Sequence, residues 1–189
     1  MLRDAELAVL SYYRACELAG SILFGRLALH TTIDDVRVQL THHCLEEAEH
    51  AWLWTKTIEE LGHVPQRVTH TYQTEYGKRF GLPKDTLEIL CLTQVFERRT
   101  LQHFQLHRDA PGTHPLIKAT LQKMIDDESG HLGWVRTKLD EYEAKEPKRL
   151  RALMAQLTTI DEDVYASLAT QYPFTALFAT KAQQEATHA

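Results

Sequence analysis

Several features are scarce in this sequence, and each scarcity excludes a class of protein. The 189 residues include only eight glycines and six prolines, so turn-forming residues are few and long helices are expected. The three cysteines, Cys16, Cys44 and Cys91, are far apart and form no Cys-x-x-Cys pair. This spacing excludes a disulfide framework and a four-cysteine zinc or iron–sulfur site.

Clusters of basic residues and uninterrupted apolar runs are also missing. With 21 basic and 26 acidic residues the net charge is −5, and no stretch of lysine and arginine is dense enough to follow a nucleic-acid backbone. Nucleic acid is therefore not expected as a partner. Asp, Glu or Arg interrupts every long apolar stretch, and the N-terminal residues lack the pattern of a leader. We expect a cytoplasmic protein without a membrane span.

Four long segments repeat apolar residues every three or four positions, which predicts four amphipathic helices. The first spans about 5–29, and the second is capped by Thr31 or Thr32 and ends at residue 61, before Gly62. The third begins at residues 83–85 and reaches about 108, and the fourth begins at 113–115 and reaches about 144, before Pro147.

The remaining segments are predicted to be connections and a short extension. Residues 63–82 show no lasting period and are predicted to be a connection of about twenty residues, long for a compact domain. Two short helices are expected at about 148–157 and 161–170, with frayed residues after Pro173. We therefore expect one domain over 1–189: a helical bundle at about 5–145, a helical extension at about 146–172 and a tail at 173–189.

The motif Glu-x-x-His occurs twice in the chain. Glu47 and His50 lie in the second predicted helix, and Glu128 and His131 lie in the fourth. Three residues make about one helical turn, so the carboxylate and the imidazole of each motif leave the same helix face. A single motif of this kind is common on exposed helices, but its repetition indicates a shared site.

The first and third predicted helices each carry one acid within the apolar stripe, Glu17 and Glu97. In an antiparallel hairpin, two residues are level when they are equidistant from the turn. The midpoint of positions 17 and 47 is 32, and the midpoint of 97 and 128 is 112.5, and both midpoints fall in predicted turns. The two halves also match at an offset of 80 or 81 residues, which indicates a duplicated hairpin.

Two facing hairpins would bring four carboxylates and two imidazoles together at the middle of the bundle. This oxygen-rich set suits two divalent iron or manganese ions better than structural zinc. Two such ions would neutralise four buried glutamates that otherwise repel one another and cost several kcal/mol each to desolvate. The second and third predicted helices would then run parallel, and about twenty residues can span the roughly 40 Å crossover.

The whole pattern resembles that of the ferritin-like di-iron carboxylate superfamily, the group of rubrerythrin and bacterioferritin, over residues 5–145. The resemblance implies an all-α, ferritin-like four-helix bundle with a long crossover between its second and third helices. It implies two iron ions, with manganese as the alternative, and neither haem nor flavin. The implied metal ligands are Glu17, Glu47, His50, Glu97, Glu128 and His131, with Glu47 and Glu128 as bridges.

Particular residues distinguish the branches of this superfamily. Classical ferritins generally have one Glu-x-x-His, and bacterioferritins place a haem-binding Met where Ala48 and Glu49 stand here. Rubrerythrins have an additional acid where Gln94 stands and often a four-cysteine rubredoxin domain. The chain is more similar to oxygen-activating members such as demethoxyubiquinone hydroxylase, aldehyde-deformylating oxygenase and the tRNA hydroxylase.

This similarity implies a di-iron oxidoreductase that uses O2, or peroxide, to oxidise a small organic substrate. A separate protein would donate the electrons, since the sequence has no flavin, nicotinamide or iron–sulfur motif. The alternatives are a ferroxidase or iron-handling protein without an organic substrate, and a metal-free bundle used for protein contacts. A homodimer is compatible with the first hypothesis, whereas a 12-mer or 24-mer shell would indicate storage.

Residues next to the predicted ligands are further candidates. Asp127 and Glu46 directly precede the two motifs, and we expect Asp127 to orient His50 and Glu46 to orient His131. Tyr13, one turn before Glu17, is a candidate redox-active phenol or cavity wall, with core packing as the alternative. His43, one turn before Glu47, is a candidate extra ligand or proton donor. Gly20 and Ser21 are small and would leave room for a substrate or for close helix packing.

Overall fold

The computed structural model describes residues 2–174, and in this part of the chain it contains six α-helices and no strand. The helices are α1 Asp4–His30, α2 Asp34–Glu60, α3 Tyr72–Phe80, α4 Thr86–Asp109, α5 Pro115–Lys145 and α6 Pro147–Ala169. The prediction of an all-α protein is confirmed. The four predicted long helices are α1, α2, α4 and α5, and their bounds agree with the prediction within a few residues.

Helices α1 and α2 pack against each other as an antiparallel hairpin. Arg14 Nε donates a hydrogen bond to Thr55 Oγ1 at 2.7 Å, and Ser21 Oγ donates to the carbonyl of Cys44 at 2.8 Å. The partner numbers fall on α2 as they rise on α1, so the two helices run in opposite directions. The hairpin ends at Gly62, whose φ of +82° is a conformation that favours glycine.

Helices α4 and α5 form a second antiparallel hairpin, and it packs against the first. Thr57 on α2 and Thr120 on α5 share a hydrogen bond of 2.8 Å, and near the other end Lys138 Nζ lies 2.6 Å from Asp35 Oδ2. The rings of Tyr13 on α1 and Phe104 on α4 have centroids 5.1 Å apart. Because α5 is antiparallel to both α2 and α4, α2 and α4 run in the same direction.

The predicted connection at 63–82 joins α2 to α4, and it contains a short helix, α3, that the sequence does not predict. Thr71 and Thr74 form a reciprocal capping box at its start. Tyr72 and Tyr76 are buried, and Tyr76 Oη donates a 2.6 Å hydrogen bond to the carbonyl of Leu157. The buried face is one turn long, too short to give a periodic signal in the sequence.

The C-terminal extension is one helix rather than the two short helices predicted. Leu157, Asp161, Val164 and Leu168 are buried at helical spacing, and this face continues without a break through residues 158–160. Asp161 accepts hydrogen bonds from Arg99 of α4 and Tyr72 of α3, which fixes α6 against the bundle.

The predicted frayed tail begins with a buried residue. The side chain of Phe174 is 0 % exposed, and its ring centroid lies 5.2 Å from that of Tyr12. Residues 175–189 of the predicted tail lie outside the described residues.

The predicted N-cap of α2, Thr31 or Thr32, is wrong, and the starts of the other two helices are capped by residues near their predicted first turns. The residue at the N-cap of α2 is Ile33, which has no side-chain capping bond, while the N-cap of α5 is His114, whose Nδ1 accepts from the amide of Leu116. The hydroxyl of Thr113 is turned inward and donates to the carbonyl of His107 at 2.8 Å. Asp85 caps α4 by accepting a hydrogen bond from the amide of Glu88 at 3.1 Å.

Among the described helices, α1 is the one whose length and apolar composition would suffice to cross a membrane. Buried core helices satisfy the same criterion, and one face of α1 is packed inside the bundle. The observation is therefore weak, and the absence of a membrane span stays a prediction.

Candidate metal centre

The six predicted metal ligands come together in the interior of the bundle. They lie on four helices, with Glu17 on α1, the first motif on α2, Glu97 on α4 and the second motif on α5. None of the six is more than 5 % exposed. Such burial is rare for glutamate unless the charge is paired or bound to a metal.

The potential ligand atoms form two groups that share one carboxylate. The atoms in each group lie within 4.8 Å of one another, and Glu47 belongs to both. The groups are Glu17, Glu47, His50 and Glu128, and His43, Glu47, Glu97 and His131. Two positions for an ion joined by a shared carboxylate are the arrangement of a dinuclear centre.

The carboxylate of Glu128 lies between the two imidazoles of the Glu-x-x-His motifs. Its Oε2 is 3.1 Å from His131 Nδ1, and its Oε1 is 3.6 Å from His50 Nδ1. Glu128 belongs to the group that contains His50, and it also contacts His131, a member of the other group.

The opposite ring nitrogens of the two imidazoles contact the carboxylates expected from the sequence. His50 Nε2 lies 3.1 Å from Asp127 Oδ2, and His131 Nε2 lies 2.8 Å from Glu46 Oε2. Each contact joins α2 to α5. In both residues Nδ1 therefore faces the cluster while Nε2 is held from outside, an arrangement that fixes the tautomer and the ring orientation of a ligating histidine.

The shared carboxylate of Glu47 occupies the space that the absent side chain of Gly20 provides. A Cβ at position 20 would lie 2.3 Å from Glu47 Oε2 and 3.1 Å from its Cδ. The small residue on α1 therefore admits the carboxylate rather than leaving room for a substrate. The neighbouring Ser21 is engaged with α2 through its hydrogen bond to Cys44.

Burial and mutual repulsion raise the pKa values of the glutamates in the cluster and so favour their protonated forms. Burial raises the pKa of Glu17 and of Glu128 to about 7, with repulsion from neighbouring carboxylates adding to it. Burial also raises the pKa of Glu47 and of Glu97. At neutral pH the four acids are therefore not all ionised unless cations are present.

The two histidines nearest Glu97 are shifted in opposite directions. Burial opposes the charged form of His131, but the neighbouring carboxylates of Glu128 and Glu97 outweigh it and raise its pKa to about 10. Burial, together with repulsion from His131, lowers the pKa of His43 to about 3. His43 is therefore neutral, the form in which an imidazole binds a metal.

Several buried polar atoms of the cluster make no hydrogen bond. In the described part of the chain, His50 Nδ1, Glu128 Oε1 and both ring nitrogens of His43 are buried without a hydrogen-bond partner. Buried polar atoms normally have hydrogen-bond partners, so this group of unpartnered nitrogen and oxygen atoms that face one another could hold a cation. Carboxylate oxygens and imidazole nitrogens are ligand types that iron and manganese accept.

A cavity of about 40 Å³ adjoins the carboxylates of Glu17, Glu47 and Glu97. Its opposite walls are mostly aromatic and include Tyr12, Tyr13, Phe24, Tyr72, Phe96, Phe104 and Tyr165. The volume admits one or two small molecules of the size of water or dioxygen.

Tyr13 is part of this wall and also of the core. Its ring packs 5.3 Å from that of Trp54 and 5.1 Å from that of Phe104, measured between centroids. Among the described residues its buried hydroxyl has no hydrogen-bond partner. The structure thus supports both packing and a position in the cavity wall.

Gln73 on α3 is a site residue that the sequence does not reveal. It lines the cavity, and its Nε2 lies 3.5 Å from the position of a Cβ at Gly20, beside the carboxylate of Glu47. Its helix was not predicted, so no face could be assigned to it. The capping spacing of Thr71 and Thr74 is the signal that could have revealed this helix.

Comparison with known proteins gives no match to a family model, a curated protein or a solved structure. What is shown is an all-helical bundle with two buried groups of histidine and glutamate that could hold metal ions.

Proposed function

We propose that this chain is a ferritin-like di-iron oxidoreductase that uses O2 or peroxide to oxidise a small organic substrate. The observation that carries the proposal is the pair of buried ligand groups joined through Glu47. Four helices contribute to these groups in the order acid, Glu-x-x-His, acid, Glu-x-x-His. The parallel direction of α2 and α4 supports the crossed-over bundle, with α3 lying within the crossover.

The proposed ligands are Glu17, Glu47, His50, Glu97, Glu128 and His131, with Glu47 and Glu128 as bridges. Two iron ions held there would supply the electrons for reduction of the oxidant, and manganese is the alternative metal. The four carboxylates would balance the charge of two divalent cations, and this balance would offset the burial and the mutual repulsion that raise their pKa values.

Other residues of the chain orient the ligands and exclude water. Asp127 and Glu46 hold the outer nitrogens of the two imidazoles, so the inner nitrogens keep their direction toward the cluster. Seven aromatic side chains line the cavity beside Glu17 and Glu97, together with the polar side chains of Gln73, Arg99, Thr100 and His103. The aromatic part of this lining limits access of water, which would protect a reactive oxidant from unproductive side reactions.

The small cavity limits what reaches the centre without movement of the protein. At about 40 Å³ it admits the oxidant, whereas an organic substrate needs the aromatic side chains of the wall to change rotamer. The same small volume favours the second candidate, a ferroxidase that oxidises Fe(II) without an organic substrate. A separate electron-donor protein is part of the first proposal and not of the second.

The proposal is tested by anaerobic loading with Fe(II), followed by exposure to air. We expect two irons per chain and an absorption change on oxidation. Glu47→Ala should lower the stoichiometry below two, while Glu49→Ala, on the exposed side of the same helix, should leave it at two. Binding of less than one metal per chain, or equal behaviour of the two variants, would contradict a dinuclear centre at Glu47.

Molecular mass in solution separates the two candidate functions. A monomer or homodimer in size-exclusion chromatography supports an oxidase or oxygenase, whereas a 12-mer or 24-mer shell supports iron storage. The same preparation serves for both measurements.

A further inference from the structure

We infer that His43 is a third imidazole ligand of the dinuclear centre and binds the ion on the side of Glu97 and His131. The inference rests on the proposed function, since it concerns the same centre. It makes the centre asymmetric, with two imidazoles at one ion and one at the other.

The position of His43 is the first support. The residue lies on α2 one turn before Glu47 and is 0 % exposed. Its Nε2 is 3.2 Å from Glu47 Oε1 and 3.1 Å from Glu97 Oε1, which come from two different helices. Neither approach has the alignment of a hydrogen bond. The Nε2 of His43 therefore lies close to two carboxylate oxygens without a hydrogen bond to either, a geometry in which all three atoms could bind one cation.

The spacing of the donor atoms is the second support. One atom each from His43, Glu47, Glu97 and His131 lie within 4.8 Å of one another. Ligands of one ion at about 2.0–2.2 Å are separated by at most about 4.4 Å, so small side-chain adjustments allow all four to reach one ion.

The ring of His43 is already fixed in place. It stacks on Phe24 with centroids 3.9 Å apart and an interplanar angle of 16°, and its centroid lies 3.8 Å from that of His131. Stacking against an apolar ring lowers the entropy lost on metal binding, because little rotamer freedom remains to be lost.

The second half of the chain shows that this histidine is not a requirement of the fold. Offsetting position 43 by the 81 residues that relate the two motifs leads to position 124, which is Met124. Met124 is also fully buried, one turn before Glu128. The duplicated position is therefore filled by an ordinary core side chain in one half and by an imidazole at the ligand cluster in the other.

Counting coordinated histidines in the Co(II)-loaded protein tests the inference. With ¹⁵N-histidine labelling, each ligating imidazole gives one ring N–H proton signal strongly shifted by the paramagnetic ion. We expect three such signals from the wild-type protein at two Co(II) per chain. His43→Met, which copies the residue of the other half, should remove one signal and weaken binding of one ion by at least about tenfold.

The matched control is His30→Ala, an exposed histidine at the end of α1, which should keep all three signals. Two shifted signals from wild-type protein that holds two Co(II) would overturn the inference and leave the dinuclear centre intact. Failure of the wild-type protein to bind Co(II) would instead overturn the proposed function. The wild-type count decides the matter even if the His43→Met chain does not fold.

Discussion

Replacement of Gly20 by alanine would place a methyl group directly against the shared carboxylate of Glu47. The added Cβ would lie 2.3 Å from Glu47 Oε2, so the carboxylate has to retreat by about 1 Å to reach an ordinary contact distance. Because metal–oxygen bonds are about 2.0–2.2 Å long, a displacement of this size removes Glu47 as a ligand of both ions.

The magnitude follows from the shared position of Glu47. Loss of one ligand common to both ions should weaken metal binding by at least about 100-fold, equivalent to about 2.7 kcal/mol. The metal-free protein should be little affected, because alanine stabilises a helix by about 1 kcal/mol relative to glycine. This gain offsets most of the cost of moving the flexible end of Glu47.

Anaerobic titration with Fe(II) or Co(II), combined with thermal denaturation of the metal-free chain, measures both effects. Gly25→Ala is the matched control, since its Cβ would lie 3.2 Å from Cys44 Sγ, on the same helix but away from the ligands. We expect Gly25→Ala to bind two ions with normal affinity. Normal binding by Gly20→Ala would refute the placement of Glu47 as the shared ligand.

Three further predictions follow from the structure. The metal-free protein should lose stability as the pH rises. The folded-state pKa of Glu17 and of Glu128 is about 7, above the usual 4.5, so their contribution is full below about pH 4.5 and is lost by about pH 7, while His131, with a folded-state pKa of about 10 against the usual 6.5, loses its contribution between about pH 6.5 and 10. Each carboxyl accounts for roughly 3 kcal/mol across its own interval, and melting curves of metal-loaded protein should not show this fall. Glu46→Gln and Asp127→Asn should each weaken metal binding by about 10–100-fold while two ions still bind at saturation; unchanged affinity would argue against their role in orienting the imidazoles. Asp161→Ala breaks the ion pair with Arg99 and the hydrogen bond from Tyr72, and should cost roughly 2–4 kcal/mol in urea denaturation with no change in metal stoichiometry.

The ends of the four long helices were predictable because glycine and proline residues that stop or start a helix lie next to them. Gly62 and Gly112 have positive φ, and Pro147 both ends α5 and begins α6. Helix α3 was missed because its buried face is a single turn and the segment contains Gly77. The prediction of two short helices missed that α6 is continuous, because the packing of its buried face across residues 158–160 outweighs the weak helix propensity of Thr158 and Thr159.

The convergence of the six acids and histidines was predictable from spacing and turn position alone. The contacts of Asp127 with His50 and of Glu46 with His131 were predictable as well, since each acid precedes a motif on the facing helix. The spacing of the motifs does not rank His43 among the candidate ligands and does not point to Gln73. Their relation to the centre depends on the ring stacking at Phe24 and on the unforeseen helix α3.

The acids behind the two imidazoles place the buried centre close to bulk water on one side. Asp127 and Glu46 keep 27 % and 26 % of their side chains exposed, and they contact Lys123 and His42 at the surface. The aromatic cavity is lined by side chains of α1, α3, α4 and α6 and by Glu47 of α2, and neither Asp127 nor Glu46 is part of its lining. We expect protons to exchange along the contact between α2 and α5, while the oxidant enters through the aromatic cavity. Protons and oxidant would then reach the centre by separate routes.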